Sequence, residues 1–282
     1  MWETVTPNPG GKPAGRMRGQ RGVIMKLTRE QQNELMDCLL DMGQLLLDCG
    51  AEISRVEETL CRIGKAYGAV HVEAFVITSI ISLSMEFLGE EAVTDTRRIF
   101  SSTGTDFYRL EKLNELSRIC CAEPLPLPEF RAEVKRVAAG VKPFRVLLGG
   151  SVLAAGSFAV FFGGSLWDGL AASIFALGIC LLQRRLGETQ INTAGANLLL
   201  SLLTGLGVGL VCALLPALHM DKILIGDIML LIPGLAMTNA IRNMLVGNTI
   251  SGVVRLTESL IWAAALAGGF MTAMVITDLL MR

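Results

Sequence analysis

The sequence predicts a membrane all-α protein of five transmembrane helices, preceded by a cytoplasmic α+β domain of element order ααβββαα. Three observations carry that prediction. The chain is 51% hydrophobic and 18% charged, whereas soluble domains carry about 25% charged residues. Most of the Lys, Arg, Asp and Glu, 38 of 51, fall before Arg145, so two physically different regions share one chain. The second region then holds five apolar runs in succession, each near the ~20 residues that cross ~30 Å of hydrocarbon. A net charge of −1 offers no basic stripe for nucleic acid.

In chain order, Met1–Ile24 is rich in Gly, Pro and Arg and lacks the apolar stretch of a secretory signal. Residues 1–25 therefore read as a disordered leader, and Met25-Lys26-Leu27-Thr28 as a natural beginning. Residues 26–141 form the α+β domain. Leu35, Leu39, Met42, Leu46 and Cys49 recur at helical spacing over Thr28–Cys49, with Thr28 and Gln31 as a capping box and Gly50 as the stop. A second helix, Glu52–Tyr67, sets Val56, Leu60, Ile63 and Ala66 on one face and Arg55, Glu58 and Arg62 on another, before Gly68 ends it. Val70–Ser79, Ile80–Phe87 and Ala92–Ser102 are rich in β-branched and aromatic residues, with turn signals at Gly89-Glu90 and Gly104, and predict an antiparallel sheet. Helix returns over Asp106–Cys121 and Glu129–Ala139, parted by Pro124, Pro126 and Pro128.

Residues 142–282 form the membrane domain, with spans expected at Phe144–Phe162, Leu166–Leu182, Gly195–Leu218, Ile223–Val246 and Leu256–Leu280. Gly149, Gly150, Gly156, Gly205, Gly207 and Gly209 are small residues that let helices approach closely. Lys135, Arg136, Lys142, Arg145, Arg184, Arg185, Arg242 and Arg255 gather on one side, against Lys222 and Arg282 on the other. Basic residues stay inside, so the α+β domain is placed in the cytoplasm, the C-terminus outside, and Trp167 at the outer interface of the cell membrane. Many transporters built from repeats have ten or so spans, and five is half of that. A second chain is expected to supply the other half.

The cysteines give no metal or disulfide pattern. Cys38, Cys49 and Cys61 lie in amphipathic helices, Cys120 and Cys121 are neighbours, and Cys180 and Cys212 sit in apolar runs, with no Cys-x-x-Cys pair. They read as free thiols in a reducing compartment. His71 and Glu73 share a strand face but lack a third ligand. There is no P-loop, G-x-G-x-x-G or nucleophile elbow, which argues against ATP-driven transport. No catalytic residue, cofactor or metal is expected.

Three blocks of residues resemble one family. Leu46-Leu47-Asp48-Cys49-Gly50-Ala51-Glu52-Ile53-Ser54-Arg55-Val56-Glu57-Glu58-Thr59-Leu60 is similar to the N-terminal signature of the threonine/serine exporter (ThrE) family. Gly104-Thr105-Asp106-Phe107 with Arg109–Arg118 resembles its second motif, and Asn114 belongs to that block. Ile232-Pro233-Gly234, Asn239-Ala240-Ile241-Arg242 and Ser251–Glu258 resemble a third. The family commonly carries Asp after the Arg of that block, where Asn243 stands here. The resemblance implies export of threonine and serine driven by the proton-motive force, by a subunit of the split type working with a five-span partner. Split members have also been linked to export of dicarboxylates such as succinate. A membrane-tethered enzyme and a regulatory subunit acting through the cytoplasmic domain remain the readings from other classes.

Polar groups inside a span are costly and mark pathways, partners or cavities. The expected substrate pathway comprises Pro233, Gly234, Asn239, Arg242, Asn243, Arg255, Glu258 and Asn197, with Gln190 and Asn192 beside Asn197 in one cytoplasmic vestibule. Arg242 suits a solute carboxylate and Glu258 its ammonium, or the two form a structural salt bridge. Pro233-Gly234 predicts a helix broken at mid-span that frees backbone groups for a solute, or an ordinary packing kink. Asp227 and Glu258 are the expected proton-coupling residues, while Asp168 and Asp278 read as interfacial and solvated. In the cytoplasmic domain Gly50, Arg55, Glu57, Glu58 and Asn114 are the motif residues, and Arg55, Glu58 and Arg62 equally fit an exposed helix laced with ion pairs.

Overall fold

The computed structural model describes residues 27–99, 105–140, 144–187 and 191–281. The leader expected over 1–25, and with it Gly104, Lys142, Gln190 and Arg282, lie outside the described residues.

The N-terminal unit comprises α1 (Arg29–Asp48), α2 (Ile53–Ala66), β1 (His71–Ile77), β2 (Ile80–Glu86), β3 (Val93–Arg98), α3 (Phe107–Ala122) and α4 (Leu127–Ala139). Thr28 caps α1 through the expected box: its hydroxyl accepts from Gln31 N–H, and Gln31 Oε1 accepts from Thr28 N–H at 2.9 Å. The strands form an antiparallel sheet in the order β1-β2-β3, with Ile77 opposite Ile80 at the first hairpin. Alternation puts Ile81, Leu83 and Met85 of β2 in a core shared with Leu35, Leu39, Val56, Leu60 and Ile63. Tyr67 and Phe130 close that core with ring centroids 5.8 Å apart, and the Tyr67 hydroxyl donates to the Leu125 carbonyl at 2.8 Å. Glu57 points at the free edge of β1, where its Oε1 accepts from Val76 N–H at 3.0 Å. An edge N–H otherwise facing water is thereby paired.

The apolar region comprises α5 (Phe144–Phe161), α6 (Leu166–Gly187), α7 (Thr193–Leu214), α8 (Met220–Leu231), α9 (Gly234–Leu245) and α10 (Thr249–Met281). Four of these helices are long and apolar enough to cross a membrane, and α8 with α9, bent by 49°, makes a fifth span when counted as one. Helix α10 begins at Thr249 rather than at Leu256, because Arg255 is not a boundary charge: it is only 6% exposed. At 33 residues α10 is about 50 Å long, well beyond the hydrocarbon thickness.

Small residues set the helix packing. Gly205 meets Ala273, Gly209 meets Thr277, and Gly269 meets Leu198, so α7 and α10 run parallel in close contact. A Cβ added to Gly205 would lie 2.6 Å from that of Ala273. Asp168 departs from its expected solvated position and is fully buried. Its carboxylate accepts from Ser165 N–H (2.7 Å) and Ser165 Oγ (2.8 Å), and from His219 N–H (2.7 Å), with His219 Nδ1 at 3.0 Å. Ser165 and Asp168 form a capping box at the start of α6. The same carboxylate ties that turn to the α7–α8 loop, and this second task is what buries it.

Candidate functional site

The three sequence blocks meet at the junction of the two regions. Helix α1 ends in a Schellman closure, with Ala51 N–H on the Leu46 carbonyl at 2.9 Å and Gly50 N–H on that of Leu47 at 3.0 Å. Gly50 supplies the φ of 86° that this closure requires. The turn delivers Gly50, Ala51 and Glu52 to the membrane helices. Asp106 N–H donates to the Cys49 carbonyl at 3.1 Å, which fastens the second block onto the first. The Asp106 carboxylate then caps α3 through Tyr108 and Arg109 N–H, at 3.1 and 3.2 Å.

The third block comes from the broken span. Pro233 has no N–H to give the Met229 carbonyl, and Gly234 N–H turns to Ile232 O at 2.8 Å instead of reaching back to Leu230. The chain bends there, and α9 carries Asn239 and Arg242 toward the N-terminal unit. Arg242 meets the Glu52 carboxylate at 3.3 Å, and Glu52 also accepts from Ser54 Oγ at 3.1 Å. Arg242 therefore pairs with Glu52 and not with Glu258.

Two hollows flank this contact. One, of about 480 Å³, lies between α2, α3 and α9, with Arg55, Arg62, Arg118 and Arg242 among its lining. Asn114 and Asn239 add amides, and Leu46, Val56, Phe107 and Leu110 an apolar floor. Arg55 and Arg62 both pair with Glu58, at 3.2 and 3.6 Å, so the exposed ladder and the motif residues prove to be the same wall. The other is a crevice of about 20 Å³ bounded by Gly50, Thr105, Asn239, Arg255, Glu258 and Trp262.

Other expected residues lie elsewhere. Glu57 serves the sheet edge and lines neither hollow. Asn192 caps α7, its Oδ1 accepting from Ala194 N–H at 2.9 Å. Leu198, beside Asn197, packs on Gly269, and α10 climbs about 16 Å from Glu258 to reach that level. Asn197 is thus removed from the polar mouth, and the single vestibule drawn from the sequence divides. Asp227 is fully buried in α8, and neither carboxylate oxygen has a hydrogen-bond partner within the described chain. The same holds for both side-chain polar atoms of Asn243 and for Nε of Arg255. Asp278 is exposed, as expected. His71 and Glu73 pair at 3.0 Å, and no cluster of three metal-ligating side chains occurs among the described residues.

Glu52 was not among the expected site residues, although it lies inside the first block. An acid at a helix start reads as a dipole partner, and that local role hides a partner 190 residues away in the chain. Arg118 lies inside the second block but was not among the expected site residues, and Trp262 carries no sequence signal of its own.

Residues 37–277 match the family described as "Putative threonine/serine exporter" (ThrE). Over 267 residues the chain is 26% identical to the "Probable succinate transporter subunit YjjP" of Klebsiella aerogenes, covering 90% of this chain and 98% of that protein. No solved structure matches significantly.

Proposed function

The chain belongs to the threonine/serine exporter (ThrE) family, and from that premise we propose that it is one subunit of a secondary exporter of small polar metabolites, threonine and serine foremost. In this reading the proton-motive force drives export and a five-span partner subunit completes the path, as in the split type. The α+β unit stands on the cytoplasmic side of the cell membrane, and the C-terminus lies outside. Membership in a family of transporters, and similarity to a transporter subunit, set aside the tethered enzyme.

The observation that carries the reading is the broken span at Pro233-Gly234, whose second half, α9, brings Ala236, Asn239 and Arg242 to the polar junction. Interrupted helices offer unpaired backbone groups to a solute in many transporters. Pro233, Gly234, Asn239, Arg242, Asn243, Arg255 and Glu258 are assigned to the pathway, and Asn197 to a separate station further along it. Asp227 and Glu258 are the proton-coupling candidates. A buried polar group without a hydrogen bond costs about 1–3 kcal/mol. Asp227, Asn243 and Arg255 are such groups, and a partner subunit or a passing solute would satisfy them. Dicarboxylate export is the second reading. It is favoured by the relative named for succinate and by the arginines of the larger hollow.

Export of labelled threonine, serine and succinate from cells, with this chain alone and with a five-span partner, tests the proposal. Efflux that needs both chains and collapses with an uncoupler supports it, and the labelled species names the solute. Absence of efflux with both chains assembled in the membrane refutes it.

A further inference from the structure

The larger hollow lies outside the membrane bundle proper, between α2 and α3 of the N-terminal unit and α9 of the broken span. Its volume, about 480 Å³, lies within the range of small-molecule sites, roughly 300–1,000 Å³. Four arginines, Arg55, Arg62, Arg118 and Arg242, stand against two glutamates, Glu52 and Glu58, so the lining carries an excess of two positive charges. One of those glutamates bridges the two regions of the chain. Glu52, its side chain 18% exposed, reaches Arg242 at 3.3 Å, and the Arg242 side chain is 61% exposed.

We propose that this hollow binds a small carboxylate-bearing solute, whose carboxylate replaces that of Glu52 on Arg242. Glu52 is then a tethered competitor for the site. The Arg242 end of the pair stands open to solvent, where an ion pair is weak, and a solute carboxylate offers Arg242 the same two oxygens. A second carboxylate on the solute would use the remaining positive charge, so a dianion fits better than a zwitterion. Asn114 and Asn239 would serve the polar remainder, and Phe107 and Leu110 its carbon chain. Occupancy has a mechanical consequence. The Glu52–Arg242 pair joins the N-terminal unit to the membrane helices, so binding loosens α9 from α2. The solute would thereby loosen the contact that holds α9 of the broken span against the N-terminal unit. This regulation rests on the export reading for its purpose, but the binding step does not.

The test uses the purified full chain in lipid nanodiscs, titrated with succinate and separately with threonine by saturation-transfer NMR. Succinate is expected to bind more tightly than threonine. Glu52→Gln removes the competitor and should tighten succinate binding about two- to fivefold, the range an exposed ion pair spans. Arg242→Gln should weaken it tenfold or more. Loss of affinity in Glu52→Gln, or unchanged affinity in Arg242→Gln, overturns the proposal, as does absence of binding by both probes. If Glu52→Gln does not fold, Asn239→Asp adds a carboxylate to the hollow and should weaken succinate binding, and an unchanged affinity there overturns it equally. Export measured in parallel separates the two readings. The expected binding pattern without any efflux refutes the exporter and keeps the site, while efflux without that pattern does the reverse.

Discussion

In the N-terminal unit the fully buried positions go to Tyr67, Phe130, Leu35, Met42 and Ile81, whereas in the membrane bundle they go to Ala155, Ala159, Ala172, Ala176 and Ala273. The large apolar side chains of the bundle, Leu153, Phe161, Leu166 and Ile174 among them, face outward. The difference follows from the solvent. Water drives large apolar groups inward, and the N-terminal unit is built on that gain. Lipid is as apolar as leucine, so the bundle gains little by hiding leucine and much by bringing backbones close. The same kind of substitution should therefore have very different consequences in the two regions.

Phe130→Ala should cost about 3–5 kcal/mol, the usual loss for a fully buried aromatic, because it empties the space against Tyr67. Phe161→Ala removes the same ring from an outward position that is 78% exposed, and the unfolding midpoint should barely move. Equal losses at the two sites in denaturant titrations of the full chain would break the comparison. The reciprocal change is Gly205→Leu, which drives a side chain into Ala273 and Phe270 of α10. Overpacking costs roughly 1–3 kcal/mol or more, and detergent-solubilised protein should lose its single size-exclusion peak. Asp168→Ala, which leaves Ser165 and His219 without their acceptor, should lower stability by about 2 kcal/mol. That loss would be read as a lower thermal midpoint.

These contrasts also explain what the sequence could and could not reveal. Capping box, Schellman glycine and β-alternation are local rules, and Thr28, Gly50 and Ile81 obey them. The break at Pro233 was equally legible, since a missing N–H acts on its own turn. Asp168 differs from its local signal because its carboxylate is held by His219, 51 residues away. The larger hollow was half visible. Arg55, Glu58, Asn114, Asn239 and Arg242 were named one by one, but only the tertiary fold sets them around one space with Glu52. Nothing in the spacing announced that Arg242 would choose Glu52 over Glu258.

The smallest expected effect belongs to the thiols of the N-terminal unit. Burial pushes Cys38 and Cys120 up to about 11 from an ordinary value of 9.0, since the fold disfavours a charged sulfur. Below pH 9 both thiols are protonated in the folded and unfolded chain, and their contribution to stability is fully present. Between pH 9 and about 11 the unfolded chain gives up these protons while the folded chain keeps them, so stability falls as pH rises through that window. The loss should appear as a lower urea midpoint at pH 10 than at pH 8, followed by far-ultraviolet circular dichroism. Cys38→Ala should flatten part of the slope at some cost in packing. A slope that survives replacement of both residues would assign the pH dependence to other groups, and would remove the thiols from what distinguishes the water-driven core from the lipid-packed one.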